Sequence, residues 1–254
     1  MDIIFPPERL DVYLVRRSKV SSRELARKLI LSECVLIDGK IITKPSHKIE
    51  KEVEIEIKEN ELTKYVSRGA LKLECALDTF NIDVKGLVAA DFGASTGGFT
   101  DLLLQRGAKK VYAIENGNNQ LHEKLRCDKR VVSLENTNAR YIEKGFIPPV
   151  DIVVMDVSFI SQTKLYYSTR NVLKKGGSFV SLIKPQFEAG KSALNKRGII
   201  KDPEIYKKVI ENVEKEASLF NFKKINCVES SILGGDGNKE FLIHFIYDEE
   251  EVSE

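Results

Sequence analysis

Apolar positions along this chain follow two rhythms, one with the period of strands and one with the period of helices. Residues 87–92, 110–114, 130–134, 151–155, 179–183, 225–228 and 241–247 are short apolar runs that read as strands. Between them lie segments of helical spacing at 99–105, about 120–126, 162–173 with a Gly176-Gly177 stop, and 203–220 with Pro203 in its first turn. A further helix is expected over 67–80, with Leu71, Ala76, Leu77 and Phe80 on its apolar side. Strands alternating with helices predict an α/β unit with a mostly parallel sheet covered on both faces. Residues 191–201 read as an exposed loop and 234–238 as a flexible stretch.

The first 58 residues carry a different pattern. After a loose lead-in over residues 1–7, Arg9, Leu10, Asp11, Leu14 and Val15 have helical spacing. A second helix, capped by Ser21 or Ser22, turns Leu25, Leu29 and Ile30 inward and Arg23, Arg27 and Lys28 outward. Val35, Leu36 and Ile37, the pair Asp38-Gly39, and Ile41-Ile42 form a hairpin signature, and residues 53–57 alternate as a half-exposed strand. The expected division is a small α+β unit over 1–58, a linker over 59–66, the large unit over 67–248 and an acidic tail over 249–254.

Composition narrows the class. A chain of 254 residues with 42% hydrophobic content is an ordinary globular protein. Net charge is only +2, but residues 16–28 hold Arg16, Arg17, Lys19, Arg23, Arg27 and Lys28 against Glu24 alone, which suggests a polyanion partner. Four scattered cysteines form no pairing framework and three dispersed histidines no metal-ligand set, so no metal is expected and a reducing, cytoplasmic location is. There is no apparent signal peptide or membrane-length apolar run.

Chemistry concentrates where the strands end. The run at 87–92 breaks into Gly93, Ser95, Gly97 and Gly98 before the next helix, a turn that lets backbone approach a ligand beside free helix N–H groups. Glu115 ends the following strand, where a doubly wound fold places an acid on ribose hydroxyls. Ser95 replaces the glycine that would admit a pyrophosphate, so S-adenosylmethionine fits better than a dinucleotide. Further strand ends carry Asp156 and Lys184; Pro185 keeps Lys184 extended, as a strand end and not a helix start. Lys72, early in its helix, is expected near the same rim, and Glu240 joins it if the last strand is antiparallel.

Two resemblances rest on these residues. Arg9-Leu10-Asp11, Ser22-Arg23, Ala26, Ile30, Val35, Ile37 and Gly39 resemble the S4 RNA-binding domain. That resemblance implies RNA-backbone contacts among Arg9, Arg16, Arg17, Arg23, Arg27 and Lys28. Val66-Ser67-Arg68-Gly69 with Lys72, the segment 91–100, the segments 156–161 and 184–188, and Gly237-Asn238 with Glu240 resemble the haemolysin-A-type (TlyA) ribosomal RNA methyltransferases, a branch of the FtsJ-like ribose 2′-O-methyltransferases. The implied fold is a seven-stranded Rossmann-like sheet with its last strand antiparallel, preceded by the S4-like domain. The implied catalytic tetrad is Lys72, Asp156, Lys184 and Glu240. The implied cofactor is S-adenosylmethionine, held by Gly93, Ser95, Thr96, Gly97, Gly98, Phe99, Glu115, Asn138 and Asp156, and the implied partner is ribosomal RNA or a ribosomal subunit, with cytidine targets in 16S or 23S RNA.

The chain departs from the family at Glu33, where a glycine is usual, at residues 116–120, and at Tyr65, where some relatives have Trp. A base methyltransferase is disfavoured because residues 156–159 lack the prolines of amino-group enzymes and no cysteine is placed for carbon-5 chemistry. A catalytically silent RNA-binding or ribosome-assembly protein is opposed by the complete tetrad. A membrane-lysing protein would need an amphipathic or apolar segment, and none stands out.

Overall fold

The computed structural model describes residues 6–20, 22–58, 64–200, 202–234 and 237–248. The start of the lead-in, Ser21, most of the linker and the acidic tail expected over 249–254 lie outside the described residues. Internal contacts divide the chain into two compact units, Met1–Ser67 and Arg68–Glu254. No helix among the described residues is long and apolar enough to cross a membrane.

The first unit runs β1 (Glu8–Arg9), α1 (Leu10–Arg16), α2 (Arg23–Leu31), β2 (Val35–Ile37), β3 (Lys40–Ile41), β4 (Lys48–Ile49) and β5 (Ile55–Ile57). β2 pairs antiparallel with β3 and β5, and β1 pairs with β4. The β1–β4 ladder, two residues on each side, is too short to leave an alternating pattern in sequence. Ser22 caps α2, its Oγ accepting the Leu25 N–H at 3.2 Å. Asp38 and Gly39, at φ 48° and 77°, close a two-residue hairpin of the twist that matches its strands. Glu33, at φ 59°, holds the left-handed turn between α2 and β2 without the usual glycine, so the departure keeps the geometry at a cost in strain.

Leu10, Tyr13 and Leu14 of α1 meet Ala26, Leu29 and Ile30 of α2 in the core of this unit. Beside them Asp11 is fully buried. Its carboxylate accepts hydrogen bonds from Arg9 Nε at 2.9 Å, Arg9 Nη2 at 3.0 Å and Arg23 Nε at 2.9 Å, tying both helices through one charge. The Arg9 bonds, then those of Arg23, outweigh burial and hold the carboxyl below its ordinary range.

The second unit contains α3 (Gly69–Thr79), β6 (Val88–Phe92), α4 (Gly98–Gln105), β7 (Lys110–Ile114), α5 (Glu123–Arg126), β8 (Val131–Leu134) and β9 (Val150–Met155). It continues with α6 (Tyr166–Val172), β10 (Leu173–Ile183), α7 (Pro185–Glu188), α8 (Pro203–Ser218), β11 (Phe222–Glu229) and β12 (Phe241–Tyr247). Among the described residues these strands form a seven-stranded sheet ordered β11-β12-β10-β9-β6-β7-β8, with β12 antiparallel to both neighbours, as expected. The order reverses between β6 and β9, the switch point at which open α/β sheets leave a crevice. Tyr166, Phe179, Phe222 and Phe245 pack as a buried aromatic cluster on one face, where α6 and α8 also lie.

Four local assignments differ from the sequence pattern. The Gly176-Gly177 pair is not a helix stop but lies inside β10, where Gly176 is left-handed and the register with β9 shifts. The helix over 162–173 is instead a 3-10 turn, Gln162–Leu165, followed by α6. α5 is shorter than the expected 120–126 because Glu135 accepts the Gln120 and Leu121 N–H groups at 2.6 and 3.0 Å. Lys184 is extended as expected, at φ −107° and ψ 95°, yet Pro185 starts the one-turn helix α7, since proline suits a first helical position.

Replacing Asp11 with Ala should destabilise the first unit by about 1.5–3 kcal/mol, the scale of hydrogen bonds to charged groups, as read by urea denaturation of the full chain. Because the folded carboxyl titrates below its unfolded value, its contribution is complete above pH ~4 and is lost as pH falls through the folded value. The wild-type and Asp11→Ala curves should therefore converge in acid.

Candidate active site

Strand register brings the chemistry-bearing residues to one rim. Phe92 of β6 pairs with Met155 of β9, and Ile183 of β10 pairs with Phe241 of β12. The residues just beyond these positions are Gly93, Asp156, Lys184 and Glu240, so four separate segments end side by side. β12 runs opposite to β10, which is why Glu240 arrives at the start of a strand while Lys184 leaves the end of one.

At the switch point the glycine turn packs against its neighbours. Gly93 is left-handed at φ 83°, and a Cβ there would sit 2.5 Å from the Asp156 carbonyl oxygen. Gly97, at φ 96°, would clash with Leu121 and Leu125. These two glycines thus allow strand ends and loop to close up, a packing reason beside the expected ligand approach. Glu115 is bonded to the turn and to its own loop: its Oε2 accepts the Ser95 N–H at 2.9 Å and its Oε1 the Gly117 N–H at 2.7 Å.

A cavity of about 510 Å³ opens here. Of the residues expected to hold a cofactor, Gly93, Ser95, Glu115, Asn138 and Asp156 line it. Thr96 lies in the turn, where its carbonyl accepts the His122 N–H, while Gly97, Gly98 and Phe99 are buried at the start of α4. Asn138 also caps the next turn, its Oδ1 accepting the Arg140 N–H at 3.0 Å. Asn116 and Gln120, in the stretch that departs from the resembling family, are part of the wall.

The four expected catalytic residues form two ion pairs. Lys72 Nζ lies 2.6 Å from Glu240 Oε2, with side chains 8% and 2% exposed, and α3, which carries Lys72, packs on β12. Lys184 Nζ lies 2.5 Å from Asp156 Oδ1 and donates to Ser158 Oγ at 2.7 Å. Burying an unpaired charge costs several kcal/mol, so each lysine reaches this depth only with its acid.

Three features were not singled out from sequence. Phe159, left-handed at φ 63° and 91% exposed, lines the cavity mouth next to Ser158 and contacts Phe187 at 5.2 Å. Glu188 accepts from Ser161 Oγ at 2.6 Å and the Gln162 N–H at 2.9 Å, binding segments 156–161 and 184–188 into one unit; burial raises its carboxyl. Asp91 is fully buried behind the glycine turn, accepting Thr100 Oγ1 at 2.7 Å, with its Oδ1 left without a partner. Burial, opposed by the Thr100 bond and assisted by Asp156 and Glu115, raises the Asp91 carboxyl to about 7. An exposed aromatic in an apolar motif and a buried acid inside a strand have no periodic signature, though Asp156 and Glu115, the charges that act on Asp91, were visible as strand-end charges.

In the first unit the candidate RNA-contact residues are distributed differently. Arg9 and Arg23 hold Asp11 while remaining 45% and 55% exposed. Arg16 pairs with Glu8 at 2.8 Å, Arg17 with Glu52 at 2.9 Å, and Lys28 with Glu24 at 2.9 Å. The Arg16 and Arg17 guanidiniums also lie over the Tyr13 ring, at 5.3 and 5.4 Å. Arg27 is exposed. Surface pairs of this kind contribute little to stability.

Residues 65–247 match the FtsJ-like methyltransferase family, and residues 8–55 match the S4 domain. The chain is 45% identical to Hemolysin A of Brachyspira hyodysenteriae, over 94% of this chain and 99% of that protein. It is 38% identical to the 16S/23S rRNA (cytidine-2′-O)-methyltransferase TlyA of Mycobacterium tuberculosis, over 92% of this chain and 88% of the other. A solved structure of a hemolysin-named protein from Streptococcus thermophilus is similar with a TM-score of 0.75 and 41% identity, covering 96% of this chain and 90% of its own.

Asp91 has a testable consequence for stability. A carboxyl raised to about 7 in the fold and near 4 when unfolded leaves stability intact in acid and removes it as pH rises between those values. Asp91→Asn should therefore gain stability over the wild type progressively from pH ~4 to ~7 and hold a constant margin above, measured by thermal unfolding across that range.

Proposed function

The chain belongs to the FtsJ-like methyltransferase family, and on that premise we propose that it transfers the methyl group of S-adenosylmethionine to a ribose 2′-oxygen of ribosomal RNA, with cytidine as the target. The observation that carries the reading is Lys184, held between Asp156 and Ser158 at a strand end beside the Gly93 turn. The name of the M. tuberculosis relative supplies the ribose position and the base. A ribosomal RNA substrate implies work in the cytoplasm.

The residues fit the cofactor. A volume of about 510 Å³ suits a nucleoside-sized ligand. Glu115, half-buried with each oxygen bonded once, keeps acceptor capacity for the two ribose hydroxyls. Gly93 and Ser95 bring backbone to the cavity wall, and Asn116 and Asn138 add polar edges. When bound, S-adenosylmethionine supplies a methyl group on a positively charged sulfur.

A ribose hydroxyl is a weak nucleophile, so its oxygen has to be aligned and its developing charge met as it attacks. Lys184 Nζ already donates to Ser158 and is paired with Asp156, which favours orientation and charge stabilisation over service as a base. Asp156 fixes that ammonium, and the Lys72–Glu240 pair holds a second cation at the rim. Phe159 offers an open ring at the mouth, suited to stacking the base of the target nucleotide. In the first unit, Arg27 and the outward faces of Arg9, Arg16, Arg17, Arg23 and Lys28 supply phosphate contacts, the sequence-independent part of RNA affinity.

Lys184→Ala should lower turnover on ribosomal subunits lacking the modification by roughly 100-fold or more, the scale of one lost charge-stabilising donor, while cofactor affinity by calorimetry stays within about twofold. Near-wild-type turnover at saturating substrate and cofactor would move the chemistry to another residue. Phe159→Ala should raise KM for the RNA substrate about 10-fold, within the range of a lost base–aromatic stack, with the thermal midpoint unchanged because the ring is exposed.

A further inference from the structure

Residues 189–201 contain Lys191, Lys196, Arg197 and Lys201 and no acid, a charge run that the proposed chemistry leaves unused. In the structure much of this stretch is a built turn. Leu194 and Ile200 form an antiparallel bridge, and the Gly198 N–H donates to the Asn195 carbonyl at 2.9 Å. Asn195 Oδ1 accepts the Arg197 and Ile199 N–H groups at 2.7 and 3.0 Å. Lys196 and Arg197 stand exposed at the tip, with no ion-pair partner among the described residues.

The base of the turn is fastened to the candidate active site by one buried side chain. Asn238, 1% exposed, accepts the Ile200 N–H at 3.2 Å and donates to the Gly198 carbonyl at 2.9 Å. It lies two residues before Glu240, and its own carbonyl accepts the Gly234 N–H at 2.9 Å. Tyr206 of α8 adds a bond from its hydroxyl to the Ile200 carbonyl at 3.1 Å. The turn leaves α7, directly after Lys184, and returns beside Glu240, so its position is set by the same segments that carry both lysine–acid pairs.

We propose that this turn is a cationic finger: Lys196 and Arg197 grip phosphates of the RNA strand that flank the target ribose, and Asn238 is the positioning residue that sets the finger against the site. The inference rests on the RNA methyltransferase reading above. A hydrogen-bonded turn has its backbone already ordered, so the two unpaired cations it carries give up side-chain freedom alone on meeting a phosphate, and a fully buried amide fixes the turn against the segment of Glu240. Such contacts carry no sequence information and act on affinity and register.

The test uses the full chain, ribosomal subunits from cells lacking the protein, and S-adenosylmethionine. Lys196→Gln combined with Arg197→Gln should raise KM for subunits about 10-fold and flatten the dependence of log affinity on log salt by about one to two, leaving kcat and cofactor affinity within about twofold. The charge-keeping pair Lys196→Arg with Arg197→Lys should restore both the affinity and the slope. Asn238→Ala, with the cations intact, should raise KM in the same direction. An unchanged KM and salt slope in the Gln pair, with active wild type, would overturn the finger and leave the methyltransferase reading standing. Wild type that methylates no ribosomal RNA would remove that reading, and the finger with it.

Discussion

An ammonium or carboxylate withdrawn from water is tolerated only beside an opposite charge or enough donors, and this requirement organises the rim of the large sheet. Lys72 and Glu240 are almost completely enclosed, and they come from α3 and from the residue before β12, far apart in the chain. Their pairing depends on the antiparallel direction of β12, which delivers an acid to the end of the sheet where the parallel strands deliver Asp156 and Lys184. It also depends on backbone close to the Glu240 carboxylate: a Cβ on Gly234 would stand 2.5 Å from its Oε1. The antiparallel strand is thus a condition of the charge arrangement as much as a feature of the fold.

The same requirement acts at smaller scale in the first unit. Asp11 is enclosed and holds Arg9 and Arg23, so two residues that belong to the basic face also fasten the helices that present it. Stability and a candidate phosphate surface are therefore coupled there through one carboxylate. Asp91 is the contrasting case, with Thr100 as its donor and no counter-cation, and its carboxyl is raised accordingly.

Around the cavity, precise placement comes from backbone-directed bonds. Glu115 holds the glycine turn through the Ser95 N–H and its own loop through the Gly117 N–H, Glu135 holds the loop after β7, and Glu188 joins the loop after β9 to α7. Three carboxylates on three loops replace the ladders that strands would provide, which is how irregular segments become rigid enough to aim side chains.

The sequence alone determined the two-unit organisation of the pattern, the alternation of strand and helix, and the rim residues Gly93, Glu115, Asp156 and Lys184, because period and strand-end position are local properties. Helix direction brought Lys72 toward the same rim, Glu240 depended on an antiparallel last strand, and the motif resemblance grouped the four charges as a tetrad. What it left open was decided in three dimensions: which lysine pairs with which acid, that Gly176-Gly177 forms a bulge inside a strand, that Phe159 is outside and Asp91 inside, and that residues 194–200 are a fastened turn and not an open loop. Each of these rests on contacts between residues distant in the chain, such as Asn238 with Gly198 and Ile200, and no local period records a contact of that kind.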